Sequence, residues 1–534
     1  MGNSKNLILP MGTQYADYLH DESRQMGQAE SISFPTTEEE ICEIMRVMSA
    51  RETDVTIQGS LTGLAAGAVP NGGHIMNVQK MNRVLGMRIG KEGKKRDPRC
   101  RYRHDPDREA VYVRVQPGLT RDELRGYIRM REFPHEGWDD LSLAALEIFE
   151  HMPEQYFPPD PTEGSASIGG MVACNSSGAK SFYYGATRGY IEGFRLVLAD
   201  GDVIALKRGQ CFADGRNFRI RTEGGRIIEG KLPSYEMPNC KNAAGYYSKD
   251  NMDLVDLFIG SDGTFGVFSE IELRMIAMPQ VLFGLNCFFC EESEAVAFSG
   301  IIRKSCPELA AMEYLDVNAL NLLREDEGQD YRIPDEAKCM LYLEIHASEH
   351  DSAMEQVDAI INAMEVVGAN PDSAWIAEGF NERQKLLNMR HRVPEKVNAK
   401  IAAYKRVHPK IAKTASDMAL PDVHFLNLLE MYETDLKAHG FDFAVWGHFG
   451  DNHLHVNVLP RTPEEMQKAK EMYEKWAVTV TTLGGTVSAE HGTGKIKAIL
   501  LAIMYGGQGI REMAAVRRIF DPQGMLARGN LFPL

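Results

Sequence analysis

Residues 58–73, QGSLTGLAAGAVPNGG, form a glycine-rich stretch directly after a predicted strand, DVTIQG. A capping box of Thr37 and Glu40 predicts a helix before that strand, so the chain opens as helix, strand and glycine-rich loop. The spacings of a dinucleotide fingerprint and of a Walker loop are absent. Gly59 and Gly63 still let the backbone approach a ligand closely, and successive amides can form a nest for a pyrophosphate. Alone, such a loop is more often an ordinary turn.

Two further stretches have the same character. One spans residues 158–190 and reads PPDPTEGSASIGGMVACNSSGAKSFYYGATRGY, which is dense in Gly, Ser and Asn. The other spans residues 258–273, FIGSDGTFGVFSEIEL, and leads into a predicted strand. Three glycine-rich segments that adjoin strands indicate one extended ligand lying against the backbone.

The bulk composition limits the class of protein. With 534 residues the chain is long enough for about two to four domains. Its net charge of -16 argues against nucleic acid as a partner. Nine scattered cysteines predict a reducing compartment rather than a disulfide framework. Because no apolar run is long enough for a membrane span or a secretory core, we expect a cytoplasmic protein without a transmembrane segment.

Changes of pattern along the chain predict three domains. Residues 1–280 contain the glycine-rich segments, and from about 280 strands and amphipathic helices with fewer glycines predict a cap domain over 281–485. The last segment, 486–534, regains glycine and is expected to return to the first domain. Within the first domain, 87–109 carries nine Lys or Arg against five acidic residues without an apolar period. We expect an exposed insertion there, with a docking patch for an acidic partner as the alternative.

Residues 447–458, GHFGDNHLHVNV, place three histidines within eight positions. Strand alternation points His453, His455 and Asn457 to one face. His448 would lie on the opposite face of a straight strand, so FGDN must form a turn that brings the imidazoles together. The stretch therefore predicts two short strands joined by a turn, with clustered histidines.

Such a cluster could bind a metal ion. Imidazoles ligate borderline cations such as zinc, and a carboxylate can complete three protein ligands while a position stays open for substrate. Glu490, in SAEHGTG at 488–494, could supply that carboxylate. Taken singly, each histidine is more often a surface or hydrogen-bonded residue. Together with Glu490 and His491 the histidines favour a metal site.

The three glycine-rich segments together resemble the flavoprotein superfamily of vanillyl-alcohol oxidase and p-cresol methylhydroxylase, over nearly the whole chain. The resemblance implies an α+β fold: a two-part FAD-binding domain, and a cap domain with an antiparallel sheet and flanking helices. It implies non-covalent FAD, because the first loop lacks the histidine through which some members attach the flavin. The FAD-binding positions that it implies are Gln58, Gly59, Ser60, Leu61, Thr62, Gly63, Leu64, Pro159, Asp160, Ser165, Gly169, Gly170, Asn175, Gly178, Gly185, Gly263, Gly266 and Ile271.

Within that superfamily the chain is most similar to D-2-hydroxyacid dehydrogenases: D-lactate dehydrogenase, the glycolate oxidase flavin subunit and D-2-hydroxyglutarate dehydrogenase. Their GHxGDGNLHxN and EHG motifs imply the metal ligands His448, His455 and Glu490 here. The chain departs from the motif at Asn452 and His453, where Gly and Asn are usual. The implied ion is divalent, zinc foremost, with manganese or iron as alternatives.

A chemistry follows from this arrangement. A 2-hydroxyacid would chelate the metal, His491 would take the hydroxyl proton, and the C2 hydride would pass to the flavin. By resemblance Arg390 binds the substrate carboxylate, with Asn457 assisting, and Lys413 lies near a lysine of the family. For both basic residues, a solvated helix face is the alternative.

We therefore expect FAD-dependent, metal-assisted oxidation of a D-2-hydroxyacid, D-lactate foremost, with D-2-hydroxyglutarate and glycolate as alternatives. Electrons would pass to an electron-transfer flavoprotein, a quinone or a cytochrome, and an oxidase that uses oxygen is a further alternative. A peripheral position at a membrane through that acceptor, and a homodimer, stay open. From other classes, a zinc hydrolase would leave the glycine-rich segments unexplained, and a non-catalytic flavin subunit would not need the metal ligands, Arg390 and His491.

Overall fold

The computed structural model describes residues 7–93, 97, 99–325 and 332–533. The first elements are β1 (Leu9–Pro10), β2 (Ser31–Ser33), α1 (Glu38–Ala50), β3 (Val55–Gln58) and β4 (His74–Asn77). The strands form a sheet in the order β1, β2, β4, β3, in which β4 runs parallel to both of its neighbours. Thr37 caps α1 as predicted, since its side chain accepts a hydrogen bond from the Glu40 amide. β3 leads directly into the first glycine-rich segment.

The next part of the chain builds a second sheet. Its elements are β5 (Val84–Lys91), β6 (Glu109–Val115), α2 (Arg121–Met130), α3 (Asp140–His151), β7 (Gln155–Tyr156), α4 (Ile168–Cys174), α5 (Ser181–Tyr184), β8 (Ile191–Val197), β9 (Val203–Lys207), β10 (Asn217–Arg221), β11 (Ile227–Lys231), α6 (Val255–Phe258), β12 (Val267–Arg274) and β13 (Ile276–Ala277). Five strands pair antiparallel in the order β5, β6, β12, β8, β9. The predicted β8–β9 hairpin turns at Asp200–Gly201, where Gly201 has a φ of 77°.

The third part begins at β14. Its elements are β14 (Val281–Phe289), α7 (Glu292–Ser305), β15 (Leu309–Leu315), α8 (Val317–Arg324), β16 (Cys339–Ala347), α9 (His350–Val367), β17 (Trp375–Glu378), α10 (Phe380–Lys405), β18 (Thr414–Ala415), β19 (Met418–Ala419), α11 (Phe425–His439), β20 (Phe443–His448), β21 (His453–Val458), α12 (Pro463–Thr482) and α13 (Ala498–Phe520). Eight strands form one antiparallel sheet in the order β17, β14, β16, β15, β20, β21, β18, with β19 also paired to β21. The expected α+β architecture, with an antiparallel sheet and flanking helices after the glycine-rich part, is confirmed.

One apolar core joins the two larger sheets. Buried residues from β6 and β12, such as Val113 and Leu273, belong to the same cluster as Leu285 of β14 and Leu343 of β16. Fully buried aromatic side chains, among them Phe265, fill this core. The two sheets are therefore packed together, and the site lies where loops of both meet.

The prediction of an exposed insertion over 87–109 is wrong in part. Residues 87–91 continue β5, and Glu92, Cys100 and Tyr102 are buried. The loop packs on the aromatic residues of α5, because the ring of Tyr102 lies 6.0 Å from that of Tyr183 and 5.6 Å from that of Tyr184, measured between centroids. Residues 94–96 and 98 lie outside the described part. Among the described residues of 87–109, the exposed ones are Lys91, Arg99, Arg103 and 105–109.

The C-terminal segment lies against β3 and the first glycine-rich segment. Val55 and Leu526 form a parallel bridge, and the Ala527 amide donates to Val55 O at 2.8 Å. Asn530 Nδ2 donates to the carbonyls of Gly67 and Asp262, at 3.0 and 2.9 Å. Residues distant in sequence are thus held beside the two glycine-rich loops.

Candidate active site

A cavity of about 430 Å³ lies where the three glycine-rich segments meet. Its walls are largely backbone and small side chains, together with Glu490 and His491 from the C-terminal segment. The residues that line it include Gly59, Ser60, Leu61, Thr62, Gly63, Leu64, Thr162, Ser167, Gly169, Gly170, Cys174, Asp262, Gly263, Gly266, Glu490, His491, Gly494 and Asn530. The volume and the enclosed, mostly apolar wall are typical of a cofactor site.

The glycines of this wall permit a close approach of backbone. A Cβ on Gly59 would lie 2.1 Å from Ser167 Oγ, so a side chain there would collide with the second glycine-rich segment. Leu61 has a φ of 62°, a left-handed conformation that turns successive amides of the loop. These features suit a long ligand with a pyrophosphate, so the residues present fit FAD.

Ten of the predicted cofactor-binding positions line the cavity. They are Gly59, Ser60, Leu61, Thr62, Gly63, Leu64, Gly169, Gly170, Gly263 and Gly266. The other eight do not line it in the described structure. They are Gln58, Pro159, Asp160, Ser165, Asn175, Gly178, Gly185 and Ile271.

The positions away from the wall support the loops that form it. Gln58 is fully buried, and its Nε2 donates to Tyr18 O and Ala68 O at 2.8 Å each. A Cβ on Gly178 would meet Asp160 O at 1.7 Å, which requires glycine at that contact. Ile271 is buried in β12 and belongs to the apolar core. For these residues the sequence identified loop architecture rather than the cavity surface.

Asp160 is held in a network of cations. Its Oδ2 accepts from Lys180 Nζ at 2.8 Å, and its Oδ1 lies 3.0 and 2.8 Å from nitrogens of Arg121 and Arg125. Burial opposes its charge, but Lys180 and the two guanidinium groups hold its pKa well below the usual range. Asp160 is therefore an ionised anchor of the second glycine-rich segment.

The predicted histidine hairpin is present. β20 and β21 pair antiparallel with His448 opposite His453, and a single 3-10 turn, Phe449–Asp451, joins them. Asn452 ends that turn with a φ of 53°. The structure thus brings His448 and His455 together at one place, as the sequence required.

Glu490 meets both histidines. Its Oε1 lies 3.0 Å from His448 Nε2 and 3.1 Å from His455 Nε2. The other ring nitrogens face buried acceptors: His448 Nδ1 lies 2.6 Å from Glu313 Oε1, and His455 Nδ1 lies 3.1 Å from Ser416 O. Such outer partners orient imidazoles that bind metals.

The tautomer of His455 shows that a cation fits this cluster. A carbonyl only accepts, so Nδ1 carries the proton that bonds to Ser416 O, and Nε2 presents a lone pair to Glu490. Burial lowers the pKa of His455, which keeps the ring neutral. A lone pair and a carboxylate oxygen 3.1 Å apart repel each other unless a cation lies between them. The donor set therefore suits a divalent metal ion.

Charges around the cluster are strongly coupled. Burial would raise the pKa of Glu490, but His448 and Lys241 hold it well below its usual range. Burial opposes a charge on His448, yet the carboxylates of Glu313 and Glu490 raise its pKa. The Glu490 carboxylate is therefore ionised and available as a ligand.

Sequence reasoning missed four charged residues of the site. Lys241 Nζ donates to Glu490 Oε2 at 2.6 Å, and Glu313 joins His448 to Arg390. Asp417 accepts from Lys497 Nζ and from Ser488 Oγ. Asp417 had a signal in the sequence, since it is the lone charged residue of the short stretch TASDMALP.

His491 faces the cavity. Its side chain is 28 % exposed, and its ring stacks on His455 with centroids 5.2 Å apart. Nδ1 lies 3.6 Å from Asp417 Oδ2, and Nε2 lies 3.4 Å from Glu490 Oε1. His491, the predicted base, therefore lies between the predicted metal ligands and the cofactor cavity.

The three other predicted catalytic residues differ in position. Arg390 is buried on α10, where its Nε donates to Glu313 at 2.8 Å and its Nη1 lies 3.5 Å from Thr162 Oγ1 on the cavity wall. Asn457 is buried on β21, and its Nδ2 donates to His455 O. Lys413 precedes β18 away from the cavity lining, and burial together with the charge of Arg24 lowers its pKa.

Comparison with known proteins adds family membership. The model for an FAD binding domain matches residues 29–136 and 146–207, and the model for the C-terminal domain of FAD linked oxidases matches residues 279–531. The glycolate oxidase subunit GlcD of Bacillus subtilis is 26% identical over 524 residues, covering 96% of this chain and 92% of that protein.

Two further relatives have similar coverage. A D-lactate dehydrogenase of Anaerostipes hadrus is 25% identical over 527 residues, with 96% of this chain and 92% of the relative covered. A D-2-hydroxyglutarate dehydrogenase of Stutzerimonas stutzeri is 26% identical over 530 residues, with 96% of this chain and 94% of the relative covered.

In the described part of the chain, no helix has the length and hydropathy of a membrane span.

Solved structures share the fold. The 4-ethylphenol oxidase of Gulosibacter chungangensis matches with a TM-score of 0.60 at 15% identity, covering 99% of this chain and 94% of that one. An alkyldihydroxyacetonephosphate synthase matches with a TM-score of 0.60 at 12% identity, covering 98% and 82%. These matches support the fold, and the two domain models confirm the family expected from the glycine-rich segments. The chain belongs to the FAD-linked oxidases with an FAD-binding domain of the p-cresol methylhydroxylase type.

Proposed function

We propose that this protein oxidises a D-2-hydroxyacid, D-lactate, to the 2-oxoacid and passes the electrons to a separate acceptor. One observation carries the proposal: the Nε2 atoms of His448 and His455 and a carboxylate oxygen of Glu490 converge beside His491 at the cavity that fits FAD. Relatives named for oxidation of glycolate, D-lactate and D-2-hydroxyglutarate support the class of substrate. Their shared chemistry is a hydroxyl on the carbon next to a carboxylate.

Two bound groups complete the chemistry. FAD supplies the acceptor of the hydride that leaves C2. A divalent metal held by His448, His455 and Glu490 supplies Lewis-acid polarisation of the hydroxyl. Side chains of the protein itself bind the substrate carboxylate and take the hydroxyl proton.

His491 takes the hydroxyl proton of the substrate. Asp417 Oδ2, 3.6 Å from Nδ1, favours a proton on that nitrogen, which leaves Nε2 as the base. The stack on His455 holds the ring at the mouth of the metal cluster. The proton would thus move to Nε2 as the C2 hydride departs.

Arg390 binds the carboxylate of the substrate. Glu313 accepts from its Nε, and its Nη1 lies 3.5 Å from Thr162 Oγ1 on the cavity wall. A guanidinium suits bidentate capture of a carboxylate. We assign this role to Arg390 rather than Lys413, because Arg390 reaches Thr162 of the cavity wall, whereas Lys413 precedes β18 away from it. Asn457 supports His455 through the carbonyl bond.

The proposal is tested by turnover with an artificial electron acceptor. The flavin-loaded protein is given D-lactate, L-lactate, D-2-hydroxyglutarate and glycolate in turn, under nitrogen and in air. We expect acceptor reduction with D-lactate and none with L-lactate. Turnover with D-2-hydroxyglutarate or glycolate, but not with D-lactate, would show that one of these acids is the substrate instead. Fast reaction in air without the artificial acceptor would show that the protein is an oxidase. No turnover with any acid would leave the non-catalytic flavin subunit.

A further inference from the structure

We propose that His453 is a fourth protein ligand of the metal, so that the site offers three imidazoles and one carboxylate. One ring nitrogen of His453 and the ligand atoms of His448, His455 and Glu490 all lie within 4.8 Å of one another. β21 places His453 and His455 on the same face, two residues apart. The rings of His453 and His455 lie 4.4 Å apart between centroids.

The ring of His453 has an unusual environment. The residue is completely buried, and its Nε2 lies 2.9 Å from Asp417 Oδ1, but neither ring nitrogen has a hydrogen-bond partner among the described residues. Buried polar atoms without partners are rare in native proteins and indicate a bound ion or water. Because Nε2 is turned to Asp417, we assign Nδ1 as the ligand atom.

Asp417 gives His453 the same support that the other two histidines have. Its carboxylate is fixed by Lys497 and by Ser488 Oγ, which donates at 2.9 Å. An ionised Asp417 with Oδ1 2.9 Å from Nε2 favours the proton of His453 on Nε2, which leaves the lone pair on Nδ1. Each of the three imidazoles thus presents one nitrogen to a buried acceptor and the other to the shared centre.

The charge balance favours one ion rather than two. Asp417, His455, Glu490 and His491 form a second, overlapping group with metal-binding spacing. Three buried carboxylates and three buried cationic groups already surround the cluster. They are Glu313, Asp417 and Glu490, with Lys241, Lys497 and Arg390. Two divalent ions would bring four further positive charges into this buried site, whereas one ion and an anionic substrate nearly balance.

Four protein ligands change the metal that can serve. Tetrahedral zinc with four protein ligands is closed, as in structural sites. A 2-hydroxyacid needs two further positions, so an ion that accepts six ligands is required, and three imidazoles select manganese, iron or cobalt over magnesium or calcium. His453 therefore favours Mn²⁺, Fe²⁺ or Co²⁺ over four-coordinate zinc for turnover.

This inference rests on the metal site of the proposed function but not on the substrate. The test uses flavin-loaded protein reconstituted with Co²⁺ or Mn²⁺ and no hydroxyacid. X-ray absorption at the metal edge counts the imidazoles, which needs no variant, and competition with a chromophoric chelator gives the affinity. We expect three imidazoles in the wild-type protein, two in His453→Asn, and at least ~10-fold weaker binding in that variant. The matched control is His439→Asn, since His439 is exposed on α11.

Two imidazoles in the wild-type protein, or unchanged affinity in His453→Asn, would overturn the inference and leave His453 as a buried partner of Asp417. Flavin reduction by D-lactate is measured separately. Three imidazoles without flavin reduction would keep the ligand assignment while the proposed function fails. Flavin reduction by D-lactate with only two imidazoles at the metal would support the proposed function and reject His453 as a ligand.

Discussion

Lys241 is the residue that sets the orientation of Glu490. Its Nζ donates to Oε2 at 2.6 Å, while Oε1 faces the two histidines. The carboxylate is thereby held with one oxygen toward the metal position and the other toward an ammonium group. A buried lysine in this place also supports the ionised state of Glu490.

Replacing Lys241 with Met should weaken metal binding about 10- to 100-fold, as loss of an outer partner does at other metal sites. The reason is that Glu490 loses the contact that fixes its rotamer. Chelator competition measures the affinity. Lys249→Met, at an exposed lysine of the same loop region, is the control. Equal affinity of the two variants would show that Lys241 does not orient Glu490.

Replacing His491 with Gln should slow flavin reduction by D-lactate about 10²- to 10⁴-fold, the usual contribution of a positioned base. Binding of the metal should change little, because Glu490 and the histidine ligands stay in place. Rapid mixing under anaerobic conditions gives the reduction rate, and chelator competition gives the affinity. A rate unchanged at every substrate concentration would remove His491 from the proton transfer.

At the scale of elements, the β20–β21 hairpin depends on its turn. Asn452 has a φ of 53°, its Nδ2 donates to Asp422 Oδ1 at 2.6 Å, and its Oδ1 accepts from Arg303 at 2.7 Å. Ser181 Oγ from the second glycine-rich segment donates to Asp451 at 2.6 Å. The turn that brings the histidines together is thus hydrogen-bonded to α5 through Ser181, to α7 through Arg303, and to Asp422, which precedes α11.

Two variants separate the backbone and side-chain contributions of Asn452. Asn452→Ala should destabilise the fold by about 2 to 3 kcal/mol, because it loses the hydrogen bonds of the amide side chain and because Ala tolerates a positive φ less well than Asn. Asn452→Gly loses the same bonds but relieves the backbone, so it should be more stable than the Ala variant by about 1 kcal/mol. Chemical unfolding measures both. Equal stabilities would mean that the φ of this turn carries no cost.

Asp316 caps α8 at a cost that depends on pH. Its Oδ1 accepts from the Ala319 amide at 2.8 Å, yet burial raises its pKa to about 7. The folded state therefore binds more protons than the unfolded state between pH 4 and 7, so this group lowers stability as pH rises through that range. Asp316→Asn keeps a good cap without the charge.

Asp316→Asn should therefore stabilise the protein by on the order of 2 kcal/mol at pH 8, with the gain shrinking toward pH 4. Thermal unfolding of both proteins across this pH range measures the difference. A gain that is the same at pH 4 and pH 8 would show that the carboxylate of Asp316 is not the titrating group.

At the scale of the whole molecule, most of the fold and about half of the candidate site could be predicted from the sequence. Glycine-rich loops and strand alternation are local patterns, so the cavity wall and the histidine hairpin were predictable. Lys241, Glu313 and Lys497 reach the metal cluster from separate loops and strands, and no local spacing links them. The burial of Cys100 and Tyr102 depends on packing against α5, which the charged sequence of 87–109 does not reveal.

The two sheets and the C-terminal segment create the active site only together. The cavity is lined by three loops of the first part, while His448 and His455 lie on β20 and β21 and Glu490 lies in the last segment. A metal lost from the cluster should therefore disable the hydride step without releasing FAD, because His448 and His455 lie outside the cavity lining and the glycine-rich loops form most of that lining.

Anaerobic rapid mixing with D-lactate, followed by flavin absorbance, tests this account most directly. The measurement is made on the metal-loaded protein, after chelation, and after the divalent ion is restored. We predict fast bleaching by D-lactate but not L-lactate, loss of bleaching by at least 100-fold on chelation with FAD still bound, and recovery on restoring the ion. Bleaching that persists unchanged after complete removal of the metal, or a flavin that no 2-hydroxyacid bleaches, would contradict it.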